Sequence, residues 1–373
     1  MTLKGNGSNL ATEPLAPLVS KTRIFEGAAD SPFLAPRGVF LAAGQLLVAD
    51  TAQNRVFLWR ELPESNFQPA DVVLGQPAKA DTGRNSGGKV NASSLFYPSG
   101  IWSDGKKLII ADAWNHRVLI WHNMPTRDGQ PADVVIGQPD FTSNEPNVKG
   151  VGSLPSARSM NWPYGVFSDG RQLWVADTGN RRALYYEHIP TANFAPANQV
   201  VGKPHFEERD YSHEDPIWPY SVKIGPRGQM AITDTQYYRV LLWNDWTTAF
   251  HRKADVIIGQ PSFEGNGQNQ FNLFPKAHTL NWCYDTCFYQ DGLWVADTGN
   301  SRILWFEQVP TAHNTPADNL LGQDDFTTGS ENKNTIWSTE GSLYWPFQAC
   351  IEGNTLVAAD TGNHRIVFNF LNF

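Results

Sequence analysis

The sequence predicts an all-β fold, a six-bladed β-propeller with four antiparallel strands per blade whose last blade is closed by a strand from the N-terminal end. Three observations predict it. First, a short phrase recurs at Asp50, Asp112, Asp177, Asp234, Asp297 and Asp360, and an arginine follows each aspartate five residues later, at Arg55, Arg117, Arg182, Arg239, Arg302 and Arg365. The aspartates lie 62, 65, 57, 63 and 63 residues apart, and self-similarity at such a period marks a propeller or a solenoid. Second, short runs rich in Val, Ile, Leu and Trp are separated by Gly, Pro, Asn and Asp clusters, with no stretch of sustained helical spacing. Third, a glycine marks the fourth run of each period at Gly75, Gly137, Gly202, Gly259 and Gly322, five copies against six of the Asp/Arg phrase.

The second period shows the elements in order. Residues 100–104 form a first strand, 107–112 a second, 117–121 a third and 133–137 a fourth. Four antiparallel strands repeated radially make a propeller blade. The last period stops after its third strand, while residues 23–27 read as a fourth strand with none before it. Joining the two removes an edge that would otherwise invite aggregation. The expected organisation is an N-terminal extension over 1–21, partly flexible, and one propeller over 22–373.

Composition sets the outer limits. With 41% hydrophobic residues, 18% charged residues and 14 tryptophans, the chain has ample material for a core and none of the bias of disorder. Its net charge of -8 repels a phosphate backbone, and no Lys/Arg-rich run offers a basic patch, so no nucleic-acid partner is expected. Residues 1–20 contain no continuous apolar stretch, which argues against a secretory leader or a membrane anchor and for a cytoplasmic protein without a membrane partner. Three cysteines, Cys283, Cys287 and Cys350, suggest no disulfide framework. Cys287 and Cys350 stand at the same place in adjacent periods and read as small buried fillers.

The phrase at 360–365, the Pro-Tyr-Gly at 163–165 and the Val-Ala-Asp before the turn resemble NHL repeats, and the resemblance spans about residues 22–373. It implies the propeller fold and an innermost first strand; the family includes interaction modules, RNA binders and enzymes. Two features depart from it: a Gly-Gln-Pro phrase on the fourth strand and long connections after it.

Six copies of one Asp/Arg pair argue for a structural salt bridge with turn hydrogen bonds, because an active site needs different residues in different roles. His116 and His364, inside these phrases, share that reading. The connections from third to fourth strand are short and proline-stiffened, which describes an inert face. Function is expected on the opposite face, where the loops 78–95, 140–160, 205–217, 262–280 and 324–343 are long and unlike one another.

Each long loop ends in an aromatic residue, Tyr97, Trp162, Trp218, Trp282 or Trp345, and Tyr164, Tyr220, Tyr284 and Phe347 follow two residues after the last four. They read as an aromatic-lined channel mouth for a planar or apolar ligand, or as filling between blades. Symmetry breaks at Arg37, a candidate anchor for an anion, and where Gly38, Gly100 and Gly165 give way to Ser221, Asp285 and Gln348. The candidate ligand-binding set is therefore Arg37, Tyr97, Trp162, Tyr164, Trp218, Tyr220, Trp282, Asp285, Trp345 and Gln348. No metal site is assigned. Asp285 alone is a poor calcium site beside the several carboxylates of propeller hydrolases, and His205, His213 and His278 lack zinc-ligand spacing. The expected function is a binding module that holds a small molecule or a partner protein at this mouth. The alternative is a metal-assisted lyase or hydrolase acting there; no catalytic residue or cofactor is assigned.

Overall fold

The structure, a computed structural model, describes residues 18–372. Residues 1–17, most of the expected N-terminal extension, lie outside the described residues. Six four-stranded antiparallel sheets stand in a ring, and their innermost strands, Gly38–Ala42, Pro98–Ser103, Pro163–Ser168, Pro219–Ile224, Cys283–Tyr289 and Pro346–Glu352, pack side by side around a central channel. The protein is a six-bladed β-propeller. Apolar side chains from facing sheets interdigitate between blades: Leu47 and Val56 of the first meet Ile110 and Leu119 of the second, all fully buried.

Val19–Phe25 supplies the outer strand of the last blade, antiparallel to Arg365–Leu371, with Arg23 opposite Phe368 and Ile24 opposite Val367. This strand begins earlier than the expected 23–27 and stops at Phe25. The reason is Gly27, whose φ of +85° turns the chain out of the sheet as Gly75, also at +85°, does after Val72–Leu74.

The recurrent Asp/Arg pair is the buried rivet of each blade. Arginine Nε donates to aspartate Oδ2 at 2.7–2.9 Å in all six copies, with side chains at most 5% exposed. The other carboxylate oxygen accepts the backbone N–H sixteen residues upstream, where the chain enters the innermost strand, as Phe96 does for Asp112 and Asn161 for Asp177. The guanidinium also reaches forward into the long loop, Arg117 to the carbonyl of Phe141 and Arg302 to that of Phe326, both at 2.8 Å. A charge pair so deeply buried is stable only with its remaining donors and acceptors satisfied, and these contacts satisfy them.

The threonine after the aspartate joins neighbouring blades. Thr51, Thr178, Thr235 and Thr298 each donate Oγ1 to the carbonyl of the residue opening the next innermost strand, at 2.5–2.7 Å. Thr361 makes the corresponding bond across the seam of the ring, to Pro36 just before the strand Gly38–Ala42, at 2.5 Å. Blade two carries Ala113 at this position and lacks the bond.

Candidate functional site

The long loops and the Asp/Arg turns share one face, and the loops are firmly held there. The Gly-Gln-Pro glutamine is the reason. Gln138 Nε2 donates to the carbonyl of His116 at the turn and to that of Glu145 within the loop, at 3.1 and 2.8 Å. Gln76, Gln260 and Gln323 make the same pair of bonds. Lys203 replaces glutamine in blade three, yet its Nζ reaches the equivalent carbonyl, Asp210, at 2.9 Å. A second tie is a reciprocal amide pair between loop and turn, Asn85 with Asn115, Asn147 with Asn180, Asn269 with Asn300 and Asn332 with Asn363. The asparagine in each turn was visible in the repeat; its loop partner was hidden by the loops' unequal lengths.

At the loop-bearing mouth the expected aromatic residues separate into two tiers. Trp162, Trp282 and Trp345 stand on the rim, 38, 46 and 40% exposed, with Trp218 half-buried and its ring 6.2 Å from that of Trp162. Their backbone N–H groups are fixed by neighbouring turns: that of Trp162 donates to His116 Nδ1 at 3.1 Å and that of Trp345 to Ser301 Oγ at 3.4 Å. His364 Nδ1 likewise accepts the N–H of Ala35 at 3.0 Å, so both histidines act as acceptors inside the framework.

The second tier fills the channel. Tyr164 stacks on Tyr220 at 4.6 Å, Tyr220 meets Tyr284 edge-on at 4.5 Å, and Tyr284 packs on Phe347 at 4.3 Å. Arg37 completes the layer, its guanidinium 4.1 Å from the centre of the Phe347 ring and 5.1 Å from that of Tyr97. Outside this layer Trp114 lies flat on Tyr97 at 4.7 Å and donates Nε1–H to the Tyr164 hydroxyl. Burial pushes the Tyr97 phenol up to about 12 and raises those of Tyr164 and Tyr284 further, so these three phenols stay uncharged.

Beneath the tyrosines the channel holds a space of about 20 Å³, lined by Arg37, Ser221, Asp285 and Gln348 among others, room for about one water molecule. The symmetry-breaking positions act here as spacers. A Cβ on Gly38 would sit 2.1 Å from the Ser99 carbonyl oxygen, and one on Gly165 2.4 Å from that of Tyr220, so glycine lets the strands of blades one to four close up. Gln348 instead reaches across and accepts the Val39 N–H at 2.9 Å. Asp285 is 2% exposed and faces Lys223, whose Nζ lies 3.3 Å from Oδ1. Burial lowers the Lys223 pKa, but the neighbouring groups, Asp285 first, together bring it above the ordinary lysine value, while burial raises that of Asp285.

The next layer down was marked in the sequence at Cys287 and Cys350 alone, although all of it lies two residues along the same aligned strands. It comprises Phe40, Trp102 and Phe167 from blades one to three and Lys223, Cys287 and Cys350 from blades four to six. Most of it lines a cavity of about 700 Å³ at the mouth opposite the loops, the face expected to be inert. Cys287 and Cys350 are wall residues of this cavity as well as fillers, and Cys283 is buried apart from them. Burial pushes the Cys350 thiol up to about 11 and that of Cys287 higher, so both stay protonated.

Among the described residues no three His, Cys, Asp or Glu side chains gather closely enough to hold a metal ion, and no helix is long and apolar enough to cross a membrane. His205 stands beside Glu207 and Glu208, and His213 bonds the Tyr237 hydroxyl at 3.3 Å; neither approaches the channel layers described above.

Fold and site together define a propeller with a plugged, tryptophan-rimmed mouth at one end and an open mouth at the other. No protein-family model matches the chain, and comparison with curated protein sequences finds no match. Solved structures do match. An auxiliary nutrient binding protein from Bacteroides thetaiotaomicron is 11% identical over 93% of this chain and 75% of its own, with a TM-score of 0.53. Virginiamycin B lyase from Staphylococcus aureus is 12% identical over 94% of this chain and 99% of its own (TM-score 0.46), and Kuenenia stuttgartiensis hydrazine synthase 11% identical over 90% and 95% (TM-score 0.48). At these identities the likeness is one of fold.

Proposed function

We propose that the chain is an NHL-type propeller that serves as a binding module and holds a partner protein on its loop-bearing face. The observation that carries this reading is the row of exposed tryptophans above a channel already filled by packed rings. Trp162, Trp282 and Trp345 keep about two-fifths of their surface in water, and on the neighbouring loops Trp337 and Phe271 are 75 and 84% exposed. Large apolar groups gathered on one rigid face mark interaction sites, and tryptophan is a frequent energetic anchor in them. Because the tyrosine layer leaves no deep recess, the contact is a surface one, which suits a protein better than an enclosed small ligand. An enzyme at this mouth has less to work with: among the described residues the one carboxylate beneath this mouth, Asp285, lies under the rings and paired with Lys223. The unpaired thiols of Cys283, Cys287 and Cys350 suit the cytoplasmic setting of this reading.

The test compares wild type with a Trp162→Ala/Trp282→Ala/Trp345→Ala variant that keeps its melting temperature. A protein captured by the wild type is purified and titrated against both; a Kd weakened at least tenfold by the triple variant supports the reading, and equal affinities overturn it.

A further inference from the structure

We infer that the open mouth opposite the loops is a second binding site, built for a small monocarboxylate with an apolar body whose carboxylate meets Lys223 at the inner end. The cavity of about 700 Å³ lies within the size range of small-molecule sites. Its wall is chemically divided. Phe40 and Phe167 face in from blades one and three, and Phe288, Ile224 and Ile351 extend the apolar surface toward the rim. At the inner end stands Lys223, whose ammonium carries three donors yet has one ion-pair partner among the described residues, Asp285 Oδ1 at 3.3 Å. A buried ammonium with donors to spare needs acceptors, and water or a ligand in the cavity supplies them.

Charge counting selects the sign of that ligand. Among the described residues the charged groups inside the channel, away from its exposed rims, are Arg37 and Lys223 against one carboxylate, Asp285, which leaves an excess of one positive charge. Asp169, on the cavity wall, and Glu352 near the lower rim are exposed, so water screens their charges from Lys223. A single anionic group at Lys223 neutralises the channel, while the aromatic and aliphatic wall takes up the rest of the molecule. The site is separate from the tryptophan rim, because the tyrosine layer lies between them.

The experiment titrates purified protein calorimetrically with 1-naphthoate and with its uncharged counterpart 1-naphthylmethanol. The expected result is one naphthoate bound per chain, with the alcohol at least tenfold weaker. Ile351→Trp, which fills the rim of the cavity, and the charge-balanced pair Lys223→Met/Asp285→Asn each reduce naphthoate affinity at least tenfold, whereas Trp162→Ala/Trp282→Ala leaves it unchanged. Melting temperatures of the variants separate lost binding from lost folding, and Ile351→Trp keeps the test open if the double variant fails to fold. No naphthoate binding at millimolar concentration, equal binding of acid and alcohol, or binding that survives Ile351→Trp but is lost with the rim tryptophans overturns the inference.

Discussion

The backbone N–H of Val39 donates to Oε1 of Gln348 at 2.9 Å, joining the innermost strands of the first and last blades through a side chain rather than through a strand ladder. The equivalent positions in blades one to three are glycines, so this bond belongs to the seam of the ring. Gln348→Leu keeps the volume and removes the acceptor, leaving a buried N–H unpaired. The expected loss is about 1–3 kcal/mol in denaturant unfolding, without a change in the slope that reports exposed surface.

Gly38 shows the opposite requirement. Alanine there brings a methyl to 2.1 Å from the Ser99 carbonyl oxygen and 2.9 Å from Ala49 Cβ, and neither neighbour is free to move. Gly38→Ala should lower stability by at least about 2 kcal/mol through overpacking. Gly88→Ala, on the loop face with no atom nearer than 3.8 Å and an ordinary backbone angle, should change it by less than about 0.5 kcal/mol.

These two residues also mark how far the sequence could be read. The period of the Asp/Arg phrase makes blade number, strand order and seam closure legible, because identical positions must do identical work six times. Gly38, Gly165, Ser221, Asp285 and Gln348 stood out as breaks in that symmetry. Their direction did not, since an innermost strand turns alternate side chains toward the neighbouring blade and a one-dimensional pattern does not record which blade stands close. Arg37, read as an anchor for an anion, is stacked on Phe347, a contact the linear pattern did not reveal. Lys223 passed unnoticed because its strand reads as an ordinary apolar run, and only the ring brings it to Asp285.

The glutamine of the Gly-Gln-Pro phrase offers a test of why the loops are ordered. Gln138 ties the turn at His116 to the loop at Glu145, and Lys203 shows that another side chain can reach the same kind of carbonyl. Gln138→Ala removes both bonds and leaves two carbonyl oxygens to find other donors. The expected outcome is faster amide exchange over residues 140–160, at least tenfold, with exchange in Leu108–Asp112 and Arg117–Trp121 nearly unchanged. Uniformly faster exchange across the blade would show instead that the glutamine supports the whole sheet.

His116 makes the fold sensitive to acid. Its Nδ1 accepts the N–H of Trp162, and burial holds the imidazole down to about 4, below the ordinary value of about 6.5. The unfolded chain therefore binds this proton more tightly than the folded one, so the stabilising effect is whole above about pH 6.5 and is lost as pH falls toward 4. The gap corresponds to about 3 kcal/mol across that window. Asn54 occupies the equivalent turn position in blade one, where its Oδ1 accepts the Tyr97 N–H at 3.1 Å, and both residues sit in the left-handed backbone region that asparagine tolerates. His116→Asn should therefore keep the Trp162 bond and remove the titration. Unfolding free energies at pH 7 should be alike for the two proteins, and between pH 6.5 and 4 the wild type should lose about 3 kcal/mol more than the variant; parallel curves would mean that the folded protein accommodates a protonated His116.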